Sequence, residues 1–120
     1  MVKYLLDTNI CIAWFKGEKS VQQRLSALAP DDILISTINL AELYFGAYNS
    51  ERVEHNLDTL QKFVSEIQIV NLDTDSLEEY GKLKTALRKQ GNIIDEFDLL
   101  IASICVANNF ILVTNNEKHF

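Results

Sequence analysis

The stretch VKYLLDTN at residues 2–9 is a short apolar run that ends abruptly in three polar residues. Such a run predicts a buried β-strand with Asp7 directly behind it. Further short apolar runs at residues 33–35, 67–70 and 110–113 alternate with helical patterns. This alternation predicts an α/β fold of three layers, α/β/α, with a central parallel sheet of four or five strands. Because ligands bind beyond the carboxyl ends of parallel strands, polar residues that directly follow a strand are candidate site residues.

Six other segments have helical spacing of apolar residues or begin with a residue that favours a helix start. They cover residues 10–15, 20–28, 38–48, 50–65, 73–90 and 98–107. The chain has one proline and four glycines, and neither a repeat nor a linker interrupts it. We therefore expect one domain over residues 1–120.

The composition is that of an ordinary globular protein. The 120 residues include 11 Lys and Arg against 17 Asp and Glu, a net charge of −6, and 48% of them are hydrophobic. This apolar content excludes intrinsic disorder, and no apolar run reaches the roughly 18 residues that a membrane span needs. The N-terminus lacks a signal-peptide pattern and the two cysteines are far apart, so we expect a reduced, cytoplasmic protein. The negative charge argues against nucleic-acid binding by charge alone.

Three acidic residues lie beside or within apolar sequence. Asp7 follows the first predicted strand, Glu42 has apolar neighbours on most sides of its helix, and Asp98 ends a cluster of three acids at residues 95–98. A buried carboxylate is costly unless it is paired or binds a metal, and crowded acids repel one another. A bound cation would remove both costs. Mg²⁺ prefers a few carboxylate oxygens together with water, and it can activate water and neutralise charge on a phosphodiester.

Each of these acids also has a purely structural interpretation. Asp7 and Asp98 stand where a helix N-cap is expected. Glu42 could lie on a narrow solvent-facing stripe beside Asn39 and Gly46, or it could pair with a lysine. The spacing of the acids leaves both interpretations open.

Four segments taken together resemble a known family of nucleases. They are LLDTN at residues 5–9, AELYFGA at 41–47, DLLIA at 98–102 and LVTNN at 112–116. In this order they are similar to the motifs of PIN-domain ribonucleases, and more narrowly to those of the VapC toxins of type II toxin–antitoxin modules. The resemblance implies an endoribonuclease that depends on Mg²⁺ or Mn²⁺, cleaves cellular RNA, often tRNA, and so arrests translation.

The resemblance also implies roles for individual residues. Asp7 and Asp98 would be the metal ligands, and Glu42 would complete the acidic, catalytic cluster. A further acid and several polar side chains near the ligands would have supporting roles: Glu96, Thr8, Asn9 and Thr114. Of these, Thr8 or Asn9 would hold Asp7 in place. Members of the family form homodimers and are inhibited by a VapB antitoxin, through which they contact DNA only indirectly, and no membrane is involved.

The chain departs from the family pattern in two places. The family often has a fourth acid where this chain has Asn116, an amide that adds no charge, so we expect one well-held ion and a weak second site. The family also commonly continues beyond the position of Phe120, so we expect a final C-terminal strand to be missing.

RNA contacts have weaker candidates. Basic residues on the fifth predicted helix and beside the last motif could contact the RNA backbone, and one aromatic residue could stack on a base. These residues are Lys82, Lys84, Arg88, Lys89, Lys118 and Trp14. The alternative is that the helix simply presents a solvated charged face.

Two other functions compete with the nuclease interpretation. A phosphatase of the haloacid dehalogenase type also begins with a strand followed by Asp, but it needs a second Asp where this chain has Asn9. A catalytically weak binding or dimerisation module that keeps the PIN fold is the stronger alternative, because the fourth acid is absent. Retention of Asp7, Glu42 and Asp98 favours the nuclease, and Mg²⁺-dependent cleavage of RNA would discriminate.

Overall fold

A computed structural model of the chain describes residues 2–115. Within this range four strands form one sheet: β1 (Tyr4–Leu6), β2 (Ile33–Ser36), β3 (Gln68–Val70) and β4 (Ile111–Val113). Their order is β3-β2-β1-β4, and all three neighbouring pairs are parallel. The predicted parallel α/β fold is therefore confirmed, with β1 in the interior of the sheet.

Six helices connect and cover the strands in the described part of the chain, as the sequence predicts. They are α1 (Thr8–Phe15), α2 (Lys19–Ser26), α3 (Thr37–Tyr48), α4 (Val53–Glu66), α5 (Thr74–Lys89) and α6 (Glu96–Asn108), and a short 3₁₀ turn at Pro30–Asp32 precedes β2. Between residues 2 and 115 there is no helix with the length and apolar character needed to cross a membrane.

The core lies on both faces of the sheet, because successive side chains of a strand point to opposite sides. Leu6 packs into a cluster with apolar residues of α1, α2, α3 and α4. Leu5, its neighbour in the chain, packs into a second cluster with α6. The two cysteines belong to these clusters, and burial raises the pKa of both Cys11 and Cys105 to about 12. Both are therefore protonated thiols of the core.

Each predicted helix start differs from the observed one by one to three residues, with the largest difference at α4, which begins at Val53 rather than at residue 50. Helix α6 begins at Glu96, and its N-cap is Asp95, whose carboxylate accepts the backbone N–H groups of Phe97 and Asp98. Asp98 therefore lies in the first turn rather than at the cap, because the earlier acid already accepts these N–H groups. Helix α2 begins at Lys19, one residue before the predicted cap Ser20.

Helices α1 and α3 follow their strands without a loop. Asp7 is the single residue between β1 and α1, and Ser36 is both the last residue of β2 and the N-cap of α3. The carboxyl ends of the adjacent strands β2, β1 and β4 thus lie side by side. Any polar group at these ends is held by the sheet itself.

Candidate active site

Asp7 is fixed between β1 and β4. Its backbone N–H donates to the carbonyl of Val113 at 2.9 Å, which extends the pairing of the two strands by one residue. Its side chain is only 4% exposed, and Oδ2 accepts a hydrogen bond from the Thr114 hydroxyl at 2.7 Å. Asp7 stands at the N-cap position of α1, but its side chain makes no capping bond. The predicted N-cap position of Asp7 is therefore confirmed, but its side chain binds Thr114 instead of capping the helix.

Glu42 is half-buried on α3, and its Oε1 accepts a hydrogen bond from the Thr8 hydroxyl at 2.7 Å. The neighbour that was expected to share a solvent-facing stripe with it, Asn39, is fully buried. Burial raises the pKa of the Glu42 carboxyl, and the hydrogen bond from Thr8 opposes this rise. The negative charges of Asp98, Asp7 and Asp95 raise the pKa of Glu42 further. Four acids from three segments of the chain therefore interact electrostatically.

Asp7, Glu42 and Asp98 lie in one region of the molecule, but their carboxylates are not arranged as the ligands of a metal ion. Asp7 and Asp98 are near enough to raise the pKa of Glu42. Yet no group of three or more His, Cys, Asp or Glu side chains between residues 2 and 115 is arranged to hold a metal ion. The carboxylates of Asp7, Glu42 and Asp98 are therefore close enough to interact electrostatically, but within residues 2–115 they are not arranged around a common point.

The chemistry of this region suits a hard cation. The groups that bond to or interact with Asp7 and Glu42 include the hydroxyls of Thr8 and Thr114 and the carboxylates of Asp95 and Asp98. Oxygen ligands of this kind are those that Mg²⁺ and Mn²⁺ prefer, and softer metals prefer sulfur or imidazole.

A buried polar chain behind Glu42 was not predicted from the sequence. Asn39 Oδ1 accepts hydrogen bonds from the Ser36 backbone N–H at 2.8 Å and from the Ser36 hydroxyl at 2.7 Å, and its Nδ2 donates to Thr8 Oγ1 at 3.0 Å. The sequence signal is the spacing Ser36-x-x-Asn39 at a helix start, where a capping box normally has Glu or Gln. Asn39 also precedes Glu42 by three residues, which places both on one face of α3.

The supporting residues differ from their predicted roles. Thr8 binds Glu42 rather than Asp7, because the start of α1 faces α3, and Asp7 is held by Thr114 instead. Asn9 is exposed. Glu96 accepts hydrogen bonds from Tyr80 and Lys84, so its exposed carboxylate is bound to α5.

Two of the six residues predicted to contact RNA form ion pairs within the protein. Lys82 pairs with two glutamates on its own helix, and Lys84 pairs with Glu96, which raises the pKa of Lys84 to about 12. Arg88 and Lys89 are exposed and make no ion pair with any other described residue.

Trp14 belongs to the core rather than to an exposed stacking surface. It is half-buried, and its ring packs edge to face on Phe63 with the two ring centroids 5.6 Å apart. Two predicted positions, Asn116 and Lys118, lie outside the described residues.

A cleft of about 260 Å³ opens beside Glu42, between α1, α3 and α4. Its wall combines the apolar side chains of Ile12 and Phe15 with Lys16 and His55. Of the acids in this region, Glu42 lines the cleft.

Comparison with known proteins identifies the family of this chain. The sequence profile of the PIN domain matches residues 4–120. The chain is 44% identical over 119 residues to "Ribonuclease VapC2" of Rickettsia felis, an alignment that covers 98% of this chain and 89% of the relative. The chain belongs to the PIN-domain family of VapC ribonucleases. Nucleases of this family depend in general on a divalent metal ion.

Other VapC proteins extend the comparison. The chain is 36% identical over 121 residues to a "tRNA(fMet)-specific endonuclease VapC" of Shigella flexneri, which covers 100% of this chain and 91% of the relative. The fold is similar to VapBC2 from Rickettsia felis bound to a DNA fragment from their promoter, with a TM-score of 0.90 and 42% identity over 98% of this chain and 90% of that one. It is also similar to DNA-bound VapBC from Salmonella typhimurium, with a TM-score of 0.93 and 30% identity over 100% and 91%.

Removal of the Glu42 charge is expected to stabilise the fold in a pH-dependent way. Because folding raises the pKa of Glu42 above its ordinary value of 4.5, the ionised carboxylate opposes folding, and this cost is absent below that value. We expect Glu42→Gln to raise the melting temperature by a few degrees at pH 7.5, and the gain to vanish near pH 4. Thermal unfolding at both pH values measures it.

Glu66→Gln is the matched control, since it removes the same charge from an exposed position at the end of α4. A destabilised Glu42→Gln protein at pH 7.5, or a gain of equal size in the control, would contradict the electrostatic account.

Proposed function

We propose that this protein is the toxin of a toxin–antitoxin module, an endoribonuclease that uses Mg²⁺ or Mn²⁺ to hydrolyse a phosphodiester of cellular RNA and so arrests translation. The observation that carries the proposal is the electrostatic interaction of Glu42 with both Asp7 and Asp98, two acids from distant parts of the chain. The relative whose name specifies tRNA(fMet) supports tRNA as the substrate class.

The metal would be held by Asp7 and Asp98, with Glu42 as the third carboxylate. When bound, a divalent ion activates water and offsets the negative charge that develops on a phosphodiester. The protein's own contribution is orientation: Thr114 holds Asp7 and Thr8 holds Glu42, each through one carboxylate oxygen. Hydrogen bonds of this kind to ligand side chains keep a metal site in the geometry that its chemistry requires.

RNA binding by a chain with a net charge of −6 needs local positive charge. The bound cation would supply part of it within the acidic region. Arg88 and Lys89 on α5 would supply more, because they are exposed and have no acidic partner within residues 2–115. Contacts of this kind hold the RNA backbone without reading its sequence.

A VapB-type antitoxin is the proposed partner, and we place the protein in the cytoplasm as a homodimer. The Rickettsia and Salmonella relatives were crystallised as VapBC bound to DNA. An antitoxin tail that covers the acidic region would block access of RNA, and contact with promoter DNA would then be made through the antitoxin.

Neutralising either proposed ligand tests the mechanism. We expect Asp7→Asn and Asp98→Asn each to lower Mg²⁺-dependent RNA cleavage by at least about 100-fold, because each removes a ligand charge from the ion. Both proteins should remain folded, since the substitution also relieves repulsion among the acids. Cleavage of total tRNA by the purified protein, with Mg²⁺ and with EDTA, measures the loss.

Asp75→Asn is the control for this comparison, since Asp75 is an exposed residue in the first turn of α5. Full activity in both ligand variants would refute the proposed site. Absence of any Mg²⁺- or Mn²⁺-dependent cleavage by the wild-type protein would instead favour the second candidate, a PIN-fold binding module. That candidate is supported by the lack of a closed metal cluster in residues 2–115.

The unpaired cations of α5 generate a separate prediction. The double variant Arg88→Ala/Lys89→Ala should raise KM for RNA about threefold to tenfold and reduce the salt dependence of binding, while kcat is retained. Lys82→Ala is the matched control on the same helix, because Lys82 is already paired with Glu78 and Glu79. Equal effects of the control and the double variant on KM would show that α5 does not contact RNA.

A further inference from the structure

We propose that Asn39 is a positioning residue of the active site, which acts through Thr8 to fix the direction of the Glu42 carboxylate. The inference rests on the proposed function, in which Glu42 is one of the three acids. It assigns a role to a residue that is fully buried and whose side-chain hydrogen bonds run to Ser36 and Thr8 rather than to one of the acids.

The hydrogen bonds that connect Ser36 to Glu42 can have only one set of donors and acceptors. The backbone N–H of Ser36 can only donate, so the Asn39 atom that it contacts at 2.8 Å must be the carbonyl oxygen Oδ1. The amide nitrogen of Asn39 therefore faces Thr8, and because it can only donate, Thr8 Oγ1 must accept from it. The single hydrogen of the Thr8 hydroxyl is then directed to Glu42 Oε1, at 2.7 Å. The backbone of β2 thus determines, through two side chains, that the Thr8 hydroxyl donates its hydrogen to the Glu42 carboxylate.

Burial makes this arrangement rigid. Asn39 and Ser36 are 0% exposed and Thr8 is 7% exposed, so solvent does not compete for these bonds. In such surroundings a hydrogen bond is stronger than in water, and a polar group that loses its partner is costly. Without the Asn39 amide, Thr8 Oγ1 would lose the donor that contacts it at 3.0 Å, and the hydroxyl could rotate away from Glu42.

The competing explanation is that Asn39 only caps α3. Its side chain does form a capping box with Ser36, and a capping role alone would affect stability without a specific effect on Glu42. The two explanations differ in one respect. Positioning requires that every effect of Asn39 on the reaction pass through the Thr8 hydroxyl, whereas capping acts independently of Thr8.

A double-mutant cycle separates these explanations. We expect Asn39→Ala and Thr8→Val each to lower kcat about 10- to 100-fold with KM for RNA changed less than about threefold. The kcat of the double variant should be no lower than that of Thr8→Val alone, because Thr8→Val already removes the hydrogen bond to Glu42. Thr8→Ser, which keeps the hydroxyl, should recover most of the activity that Thr8→Val loses. Independent losses that multiply in the double variant would overturn the inference.

Two further variants serve as controls for the capping explanation and for the loss of a buried amide. Asn39→Asp keeps the size and the acceptor oxygen that caps α3 but, when ionised, has no hydrogen for Thr8, so it should lose kcat as Asn39→Ala does. Retained activity in Asn39→Asp would favour the capping explanation. Asn108→Ala is the matched control: it removes an amide that donates to the Ile104 carbonyl, ten residues and about 15 Å along α6 from Asp98, and it should leave kcat unchanged.

A structural readout keeps this inference distinct from the proposed function. In crystal structures of Asn39→Ala and Thr8→Val, we expect the Glu42 carboxylate to be turned away from its wild-type position. A Glu42 side chain that stays in place in Asn39→Ala would overturn the inference, whatever the activity. If the wild-type protein cleaves no RNA, the proposed function fails, and the position of Glu42 in these variants still decides the role of Asn39.

Discussion

Repulsion among carboxylates at the carboxyl end of the sheet is the constraint on which the rest of this structure depends. Asp7, Glu42 and Asp98 come from separate parts of the chain, and the burial of Glu42 beside the other two raises its pKa. The fold tolerates this arrangement because each element that carries an acid is anchored in one of the two apolar clusters on the faces of the sheet. The remaining cost is the one that a divalent cation would remove.

Sheet topology explains how the acids are held. Strand β1 lies between β2 and β4. Asp7, which follows β1, is therefore flanked by the polar residues at the ends of these two strands. Thr114, which follows β4, donates to Asp7 directly. Ser36, which ends β2, acts at longer range through Asn39 and Thr8 on Glu42. The ends of the parallel strands, together with the first turns of α1 and α3, thus orient two of the three carboxylates.

The sequence predicts those features that depend on local pattern. Short apolar runs and helical spacing are enough to find the four strands and six helices of residues 2–115. Acids in apolar surroundings point to Asp7, Glu42 and Asp98 as candidates, and in the structure Glu42 interacts with the other two. The partners of these residues depend on tertiary contacts, which spacing does not reveal. Thr8 and Glu42 are 34 residues apart, and Thr114 and Asp7 are 107 residues apart. For the same reason the pairing of Lys84 with Glu96 could not be predicted from the charge pattern of α5 alone.

The most direct test of the central claim is anomalous diffraction from crystals of the wild-type protein grown with Mn²⁺. The account predicts one strong Mn²⁺ peak ligated by carboxylate oxygens of Asp7 and Asp98, with Glu42 directed at the ion or its water. Crystals that show no Mn²⁺ in this region at millimolar concentration, or carboxylates that point to different sides of the molecule, would contradict it.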